Sequence, residues 1–139
     1  MRCILQGNDR AYTEAGLKPE DITYINAHGT STHLNDMLET KAVKIALGEE
    51  QARKVKINST KSMTGHMLGG TGAVEAVVCA LSIRDSFIHQ TIGYTTPDPE
   101  CDLDYCVDGP VEMPVSAALS NSLGFGGHNA TLCFKKCVD

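Results

Sequence analysis

Residues 58–81 constrain the fold of this chain more than any other stretch, because a small-residue loop leads directly into a strongly apolar segment. Between residues 73 and 83 the only charged residue is Glu75. A helix that is apolar on every side is normally buried on every side. The sequence therefore predicts a core helix that begins beside Gly69, Gly70 and Gly72 and packs between other elements.

Two groups that can handle protons or negative charge, Lys61 and His66, come just before this helix. The free N–H groups and the dipole of a helix N-terminus favour an anion at that position. The segment fits a reactive loop that leads into a core helix. It fits equally well a tight turn whose histidine only completes a hydrogen bond, and a short motif alone does not separate the two.

Length, composition and charge limit the class of protein. A chain of 139 residues, 42% of them hydrophobic, has the size of one domain with a proper core. No segment is long and apolar enough to span a membrane, and the first residues lack the pattern of a signal peptide. The formal net charge of −5 is spread along the chain, which argues against nucleic acid as the main partner.

The six cysteines of the chain do not form a metal or redox motif. They are Cys3, Cys79, Cys101, Cys106, Cys133 and Cys137, and none of them belongs to a C-x-x-C pair. Cys79 lies in the predicted core helix and Cys133 in an apolar run, as is typical of small core residues. We therefore expect reduced thiols in a cytoplasmic protein.

The predicted elements alternate along the chain. Helices are expected over residues 4–16, from about residue 32 to Leu47, and from about residue 73 to 85; strands are expected over 22–26, 56–58, 87–92, 115–119 and 130–135. This order favours an α/β fold, a mixed five-stranded sheet with helices on both faces. The three polar or glycine-rich loops each follow a strand, so one sheet edge could bring together His28, Lys61, His66 and Phe125.

Four blocks of sequence point to a known family: H-G-T-S-T at 28–32, N-S-T-K-S-M-T-G-H at 58–66, T-P-D-P-E-C-D-L-D-Y at 96–105, and S-N-S-L-G-F-G-G at 120–127. In this order and spacing, the chain resembles the C-terminal half of a β-ketoacyl-acyl carrier protein synthase of the type II, chain-elongating kind. The resemblance implies a thiolase-like fold of two similar halves. It also implies a decarboxylating Claisen condensation, in which malonyl-carrier protein attacks an acyl chain held on a cysteine during fatty acid elongation.

The resemblance assigns roles to single residues. His28 and His66 match the two active-site histidines, and neutral imidazoles can donate hydrogen bonds to a thioester oxygen as it gains enolate charge. Lys61 matches the family's lysine, and Glu39 is identified with the acid that pairs with it. These residues form the implied catalytic set.

The same resemblance assigns a gate and a substrate contact. Phe125 matches a mobile aromatic gate whose backbone N–H serves an oxyanion hole. Gly124 and Gly126 would let that loop move. Thr30 and Thr32 would contact the substrate.

Partners and departures follow from the resemblance as well. None of the six cysteines has the small-residue setting of the family nucleophile, which belongs to the N-terminal half. We therefore expect residues 1–139 to be the C-terminal half, inactive alone, whether as a fragment or as a separately encoded piece. The implied partners are acyl carrier protein, the N-terminal half and a second copy in a homodimer. No cofactor, metal, nucleic acid or membrane is implied, and the location is cytoplasmic, or organellar in a eukaryote.

Two positions depart from the family pattern, and alternatives to the synthase remain. His33 stands where family members usually have proline, and Leu123 stands where many have phenylalanine. We expect His33, His89 and His128 to be non-catalytic. A degradative thiolase is disfavoured, since its G-H-P turn and late cysteine are missing. A polyketide ketosynthase, or a non-catalytic piece that only associates with a partner, stays open.

Overall fold

The computed structural model describes the backbone of residues 2–137 and the side chains of residues 6–137. The helices are α1 (Arg2–Glu14), α2 (His33–Leu47), α3 (Glu49–Ala52), α4 (Lys61–Thr64) and α5 (Thr71–Asp85). The strands are β1 (Ile22–Asn26), β2 (Lys56–Asn58), β3 (Phe87–Ile88), β4 (Val111–Glu112), β5 (Ala117–Leu123) and β6 (Asn129–Lys135). Short 3-10 turns lie at Pro19–Asp21, Leu68–Gly70 and Phe125–Gly127. Within these described residues, no helix combines the length and the apolar character needed to cross a membrane.

The main sheet has the strand order β2-β1-β5-β6. Strand β1 runs parallel to both β2 and β5, and β6 runs antiparallel to β5. The mixed sheet expected from the sequence is confirmed, but within residues 2–137 it has four strands rather than five. The piece expected to supply another strand, at 87–92, forms only the short β3, which pairs with β4 in a separate two-stranded sheet.

Helices cover both faces of the sheet, as expected. One face packs against α1 and α2, where Ile25 and Leu119 of the sheet meet Val43 of α2 in one apolar cluster. The other face packs against α5, where Tyr24 and Ala118 share a second cluster with Cys79, Ile83 and Ile88. The result is a three-layer α/β/α arrangement in which both cores include side chains from β1.

Within the described residues, helix α5 is not buried on all sides, although its apolar sequence predicts a helix that packs between other elements. Val74, Val77 and Leu81 are exposed in the described chain, at 38%, 58% and 40% of their surface. The side that faces inward carries smaller and more polar residues: Thr71, Glu75, Cys79, Ser82 and the apolar Ile83. A surface helix normally shows the opposite distribution, with its apolar stripe facing the core. The outward face of α5 is therefore an unpartnered apolar surface.

Strand β5 continues further than its sequence suggests. We expected a strand to end at Leu119 and a loop to begin at Ser120, because the segment from there on is polar and glycine-rich. In the structure, residues 120–123 continue the strand because they pair with residues 129–132 of β6. The buried amide of Asn121 is satisfied by Glu39 and Thr131, so the polar sequence is compatible with a buried strand.

Candidate active site

The three predicted loops leave the sheet at the same edge. Because β1, β2 and β5 are parallel, their carboxyl ends lie together, and Asn26 is paired with both Asn58 and Ser120. His28 follows β1 by two residues, and Lys61 follows β2 by three. Strand β5 extends three residues beyond Ser120 before the turn that carries Phe125.

His28 and His66 meet at this edge. Their ring centroids are 5.6 Å apart and the ring planes are nearly perpendicular, at 84°. Burial, the charge of Lys61 and the neighbouring His66 together lower the pKa of His28 to about 4, and burial is the largest cause. His28 is therefore a neutral imidazole at neutral pH, which matches the protonation state expected from the sequence.

The orientation of His66 follows from its hydrogen bonds. The backbone N–H of Leu68 donates to His66 Nδ1 over 3.1 Å. Since Nδ1 is an acceptor, the neutral ring carries its proton on Nε2, which is therefore a donor. Leu68 adopts a positive φ of 49°, a conformation that costs energy in a leucine.

Lys61 pairs with Glu75, so the predicted pairing with Glu39 is wrong. Lys61 Nζ lies 2.5 Å from Glu75 Oε1, and only 5% and 1% of the two side chains are exposed. Burial raises the pKa of Glu75, and the nearby Lys61 opposes that rise. Glu75 was visible in the sequence as the lone charge of an apolar helix, and a buried charge needs a partner. That signal could have identified it.

Glu39 instead holds the loop that carries His28. Its Oε1 accepts the N–H of His28 at 2.8 Å and an N–H of Asn121 at 3.2 Å. Its Oε2 accepts the N–H of Gly29 at 3.0 Å and an N–H of Asn35 at 3.3 Å. Burial raises the pKa of Glu39, while these donors act against the rise. Each carboxylate oxygen of Glu39 accepts two of these four N–H groups. Because two of the four belong to the backbone of the loop, Glu39 fixes the conformation of that loop.

Gly29 allows the first two loops to pack together. It has a positive φ of 40°, and a Cβ built there would lie 2.6 Å from the Cβ of Ser59. Only glycine fits such an approach. Ser59 also donates from Oγ to the carbonyl of His28, over 3.4 Å. The loop of His28 and the loop of Lys61 are thereby held as one unit.

The remaining predicted site residues lie on the same loops. The hydroxyls of Thr30 and Thr32 are hydrogen-bonded to each other at 2.9 Å. Phe125 is fully exposed and opens the turn after β5. The N–H of Gly124 donates to the carbonyl of His128 at 2.9 Å, and Gly126 has a φ of 78°. The structure thus brings His28, His66 and Lys61 together, and Phe125 follows the third strand at the same edge.

A cavity of about 490 Å³ lies behind the loop of Thr30. Its wall includes Thr30, Glu39 and Lys61, and residues 91–105 contribute the opposite side. Some of its polar groups bind each other: Thr91 donates to the carbonyl of Tyr105, and the hydroxyls of Tyr105 and Thr40 are hydrogen-bonded.

Four cysteines with described side chains, Cys79, Cys101, Cys106 and Cys133, lack the features of an activated nucleophile. Burial raises the pKa of Cys79 to about 12 and that of Cys106 to about 11. Burial also raises the pKa of Cys101 and Cys133. A raised pKa disfavours the thiolate, which is the reactive form. Across the part of the chain whose side chains are described, no group of three or more His, Cys, Asp or Glu is arranged to hold a metal ion.

The family model for the C-terminal domain of β-ketoacyl synthases matches residues 5–95. The chain belongs to the β-ketoacyl synthase family. The 3-oxoacyl-[acyl-carrier-protein] synthase 2 of Staphylococcus aureus (strain COL) is 55% identical over 126 residues, covering 91% of this chain and 30% of that protein. The enzyme of the same name from Synechocystis sp. (strain ATCC 27184 / PCC 6803 / Kazusa) gives the same figures.

Solved structures of ketosynthases confirm the thiolase-like α/β fold. A ketosynthase crystallised with its type II polyketide acyl-carrier protein and a bound hexaketide superposes with a TM-score of 0.92 at 41% identity, over 96% of this chain and 33% of that one. A β-ketoacyl synthase from Burkholderia phymatum STM815 gives a TM-score of 0.89 at 34% identity, over 97% of this chain and 32% of that one. The chain thus spans about a third of the length of these family members.

Proposed function

We propose that this chain is the C-terminal catalytic half of a longer 3-oxoacyl-[acyl-carrier-protein] synthase that elongates fatty acids. The observation that carries the proposal is the pair of imidazoles, 5.6 Å apart, beside the buried Lys61–Glu75 ion pair. The two relatives at 55% identity bear the name of that enzyme, and they support the choice of reaction. The expected substrates are malonyl and acyl groups carried on acyl carrier protein.

The proposed reaction has two halves. First, an acyl chain moves from the thioester of acyl carrier protein to a cysteine in the part of the protein that precedes this chain. The carrier leaves as a free thiol, which takes up the proton of the cysteine. Then the bond between the malonyl carboxylate and C2 breaks, carbon dioxide leaves, and the electron pair passes to the thioester oxygen as an enolate. C2 attacks the acyl thioester, a carbon–carbon bond forms, and the cysteine leaves as a thiolate.

The two histidines stabilise the enolate in this scheme. His66 carries its proton on Nε2, because Nδ1 accepts from Leu68, so it can donate to the enolate oxygen. His28 is neutral through burial and the nearby charge of Lys61, so its ring keeps one N–H to donate and does not become a competing cation. Donors that are held in place before the reaction cost no reorganisation when the charge develops. Lys61 and Glu75 organise the site, and Glu39 holds the backbone of His28.

The other roles complete the proposal. Phe125 would gate the acyl pocket and lend its N–H to an oxyanion hole, on a turn made mobile by Gly124 and Gly126. Thr30 and Thr32 would contact the carrier's prosthetic arm or its malonyl group. The parent protein would be a cytoplasmic homodimer without cofactor, and its carrier protein would dock through a local basic patch.

A polyketide ketosynthase is the second candidate. The observation in its favour is the ketosynthase of a type II polyketide synthase that superposes with a TM-score of 0.92. Its identity of 41% is lower than the 55% of the named fatty acid enzymes, which is why the first candidate is preferred. Offering the full-length enzyme saturated acyl-carrier protein and poly-β-ketoacyl-carrier protein in competition separates them. Preferred elongation of the polyketone chain would reverse the order of the two candidates.

The catalytic assignment is tested in the full-length protein with the two half-reactions measured separately. His66→Ala and His28→Ala should each slow malonyl decarboxylation by a factor of roughly 10²–10³, the usual effect of removing one preorganised donor. Both should leave acyl transfer to the cysteine largely intact. His33→Ala is the matched control, since this histidine is a surface residue paired with Glu100. A His66→Ala enzyme that melts early but decarboxylates at the parent's rate would show that His66 only caps a helix.

A further prediction concerns the activity of residues 1–139 without the rest of the full-length protein. Residues 1–139 alone should show no condensing activity, because none of the six cysteines has the small-residue setting of the family nucleophile. Burial also raises the pKa of four of them, Cys79, Cys101, Cys106 and Cys133. Steady elongation of acyl-carrier protein by the purified chain would contradict this. The result would favour an enzyme complete within the chain over one half of a larger site.

A further inference from the structure

His89 lies directly after β3 and reaches the turn between β2 and α4. Its Nε2 is 3.2 Å from the hydroxyl of Thr60, and its Nδ1 is 2.8 Å from the carbonyl of Gln90. Its own carbonyl accepts an N–H of Asn58 at 2.6 Å. One residue therefore contacts both Asn58, which ends β2, and Thr60, which directly precedes Lys61.

The direction of each hydrogen bond at His89 can be assigned. A carbonyl only accepts, so Nδ1 must donate to Gln90, and the neutral ring then offers Nε2 as an acceptor. The hydroxyl of Thr60 donates to that nitrogen. The same hydroxyl accepts an N–H of Asn26 at 2.7 Å. The chain of bonds therefore runs in one direction, from Asn26 through Thr60 and His89 to the carbonyl of Gln90.

Thr60 has little freedom to adjust if this chain is broken. It is buried at 3% exposure, and its neighbour Lys61 is buried at 9%. Its carbonyl accepts the N–H of Met63 at 2.9 Å, within the first turn of α4. A shift of Thr60 would therefore move the start of α4, and with it the side chain that reaches Glu75.

We propose that His89 is a positioning residue: its imidazole holds Thr60, and through it holds Lys61 in register with Glu75 and His28. The kinetic consequence rests on the proposed decarboxylation, whereas the positioning itself does not. The hydrogen bond from the Asn58 side-chain amide to the backbone carbonyl of His89 remains when the imidazole is replaced. The imidazole can therefore be tested while the other link between the two segments is kept.

The kinetic test compares side chains at position 89 in the full-length protein. His89→Phe keeps a flat ring but loses the acceptor, and it should lower kcat for malonyl decarboxylation roughly three- to tenfold with KM unchanged, the rate equivalent of one neutral hydrogen bond. His89→Gln should restore most of the rate, because its side-chain oxygen can accept from Thr60. Ser62→Ala is the matched control, since Ser62 Oγ on the same helix accepts a 3.3 Å bond from Ile92 in the same segment.

A double variant tests whether the two residues act through each other. Thr60→Val removes the same hydroxyl, so His89→Phe combined with Thr60→Val should be no slower than the slower single variant. Strictly multiplicative losses, an unchanged His89→Phe rate, or a His89→Gln enzyme as slow as His89→Phe would each overturn the proposal.

A spectroscopic test does not depend on activity and covers the case in which His89→Phe fails to fold. With ¹⁵N-labelled histidine, the wild-type protein should show His89 protonated at Nδ1, and Thr60→Val should release part of it to the Nε2–H form. The pKa of His28, held near 4 in part by Lys61, should rise towards 6.5 in His89→Gln less than in His89→Phe. A wild-type His89 protonated at Nε2 would overturn the proposal even in an active enzyme. If the enzyme does not decarboxylate malonyl groups at all, the proposed function is wrong. The tautomer of His89 and the pKa of His28 still test the positioning role of His89 in that case.

Discussion

Replacing Glu75 by glutamine removes the negative charge beside Lys61 while keeping nearly the same shape. The ammonium of Lys61 would then lie buried without its partner, since the 2.5 Å contact to Glu75 is its ion pair in the structure. Glu39 cannot take over, because both of its oxygens already accept N–H donors from the loop of His28. The charge must therefore be left unpaired, be neutralised, or move towards solvent.

The size of the effect follows from burial. Removing one partner of a buried ion pair typically costs about 3–5 kcal/mol of unfolding free energy. The chain offers a matched control in Glu50, whose Oε1 lies 2.6 Å from Lys54 Nζ, but with 88% and 63% of the two side chains exposed. The contacts are alike in chemistry and length and differ in solvation, so Glu50→Gln should leave the unfolding free energy nearly unchanged.

The assay is urea unfolding of the full-length protein, with malonyl decarboxylation measured in parallel. Glu75→Gln should lose both stability and activity. The double variant Lys61→Met with Glu75→Leu should recover most of the stability, because an apolar pair of similar volume replaces buried charge at little cost. It should not recover the activity. If the Glu75→Gln protein is as stable as the Glu50→Gln protein, the buried ion pair between Lys61 and Glu75 does not stabilise the fold.

Three further predictions follow from the same region. The unfolding free energy should decrease as the pH falls from 6.5 towards 4. In this range the histidine binds a proton in the unfolded chain but stays neutral in the folded chain, where the pKa of His28 is lowered to about 4. Urea titrations at several pH values should show a smaller pH dependence for His28→Gln. Phe125→Ala should slow elongation of long acyl chains with little change in melting temperature, since the side chain is fully exposed. Leu132→Ala on β6 is the control at another exposed apolar residue. Equal turnover of the two variants would argue against a gating role for Phe125. Gly126→Ala should destabilise the protein by about 1–2 kcal/mol in calorimetry, because its φ of 78° is unfavourable for a residue with a Cβ, and an unchanged melting temperature would mean that the turn adopts another conformation.

Several elements followed from local sequence patterns. The β-rich run at Ile22–Asn26 forms β1 as predicted, and the helix expected up to Leu47 ends there, with Gly48 at a φ of 80°. The expectation that one sheet edge gathers the loops of His28 and Lys61 is confirmed by the parallel pairing of their strands. These features depend on side-chain alternation, glycine stops and chain order, which are all properties of short segments.

Other features depended on neighbours that the sequence pattern does not name. The polar run from Ser120 is a strand because β6 supplies its hydrogen bonds and Glu39 supplies a partner for Asn121. The uniformly apolar stretch of α5 did not indicate which side would face the sheet. In the structure its polar and small residues face inward, and this orientation places Glu75 in contact with Lys61.

The choice of partner for Lys61 illustrates the difference between the two kinds of information. The sequence by itself placed His28, Lys61 and His66 in loops that follow strands, and so predicted that they could meet at one edge of the sheet. The family resemblance named Glu39, 22 residues before the lysine, as its partner, although Glu75 lies 14 residues after it. Only the tertiary structure decided between them, because it directs Glu39 at two backbone N–H groups and Glu75 at the ammonium. A buried charge is stabilised only by a group within contact distance, and that distance depends on how the helices pack.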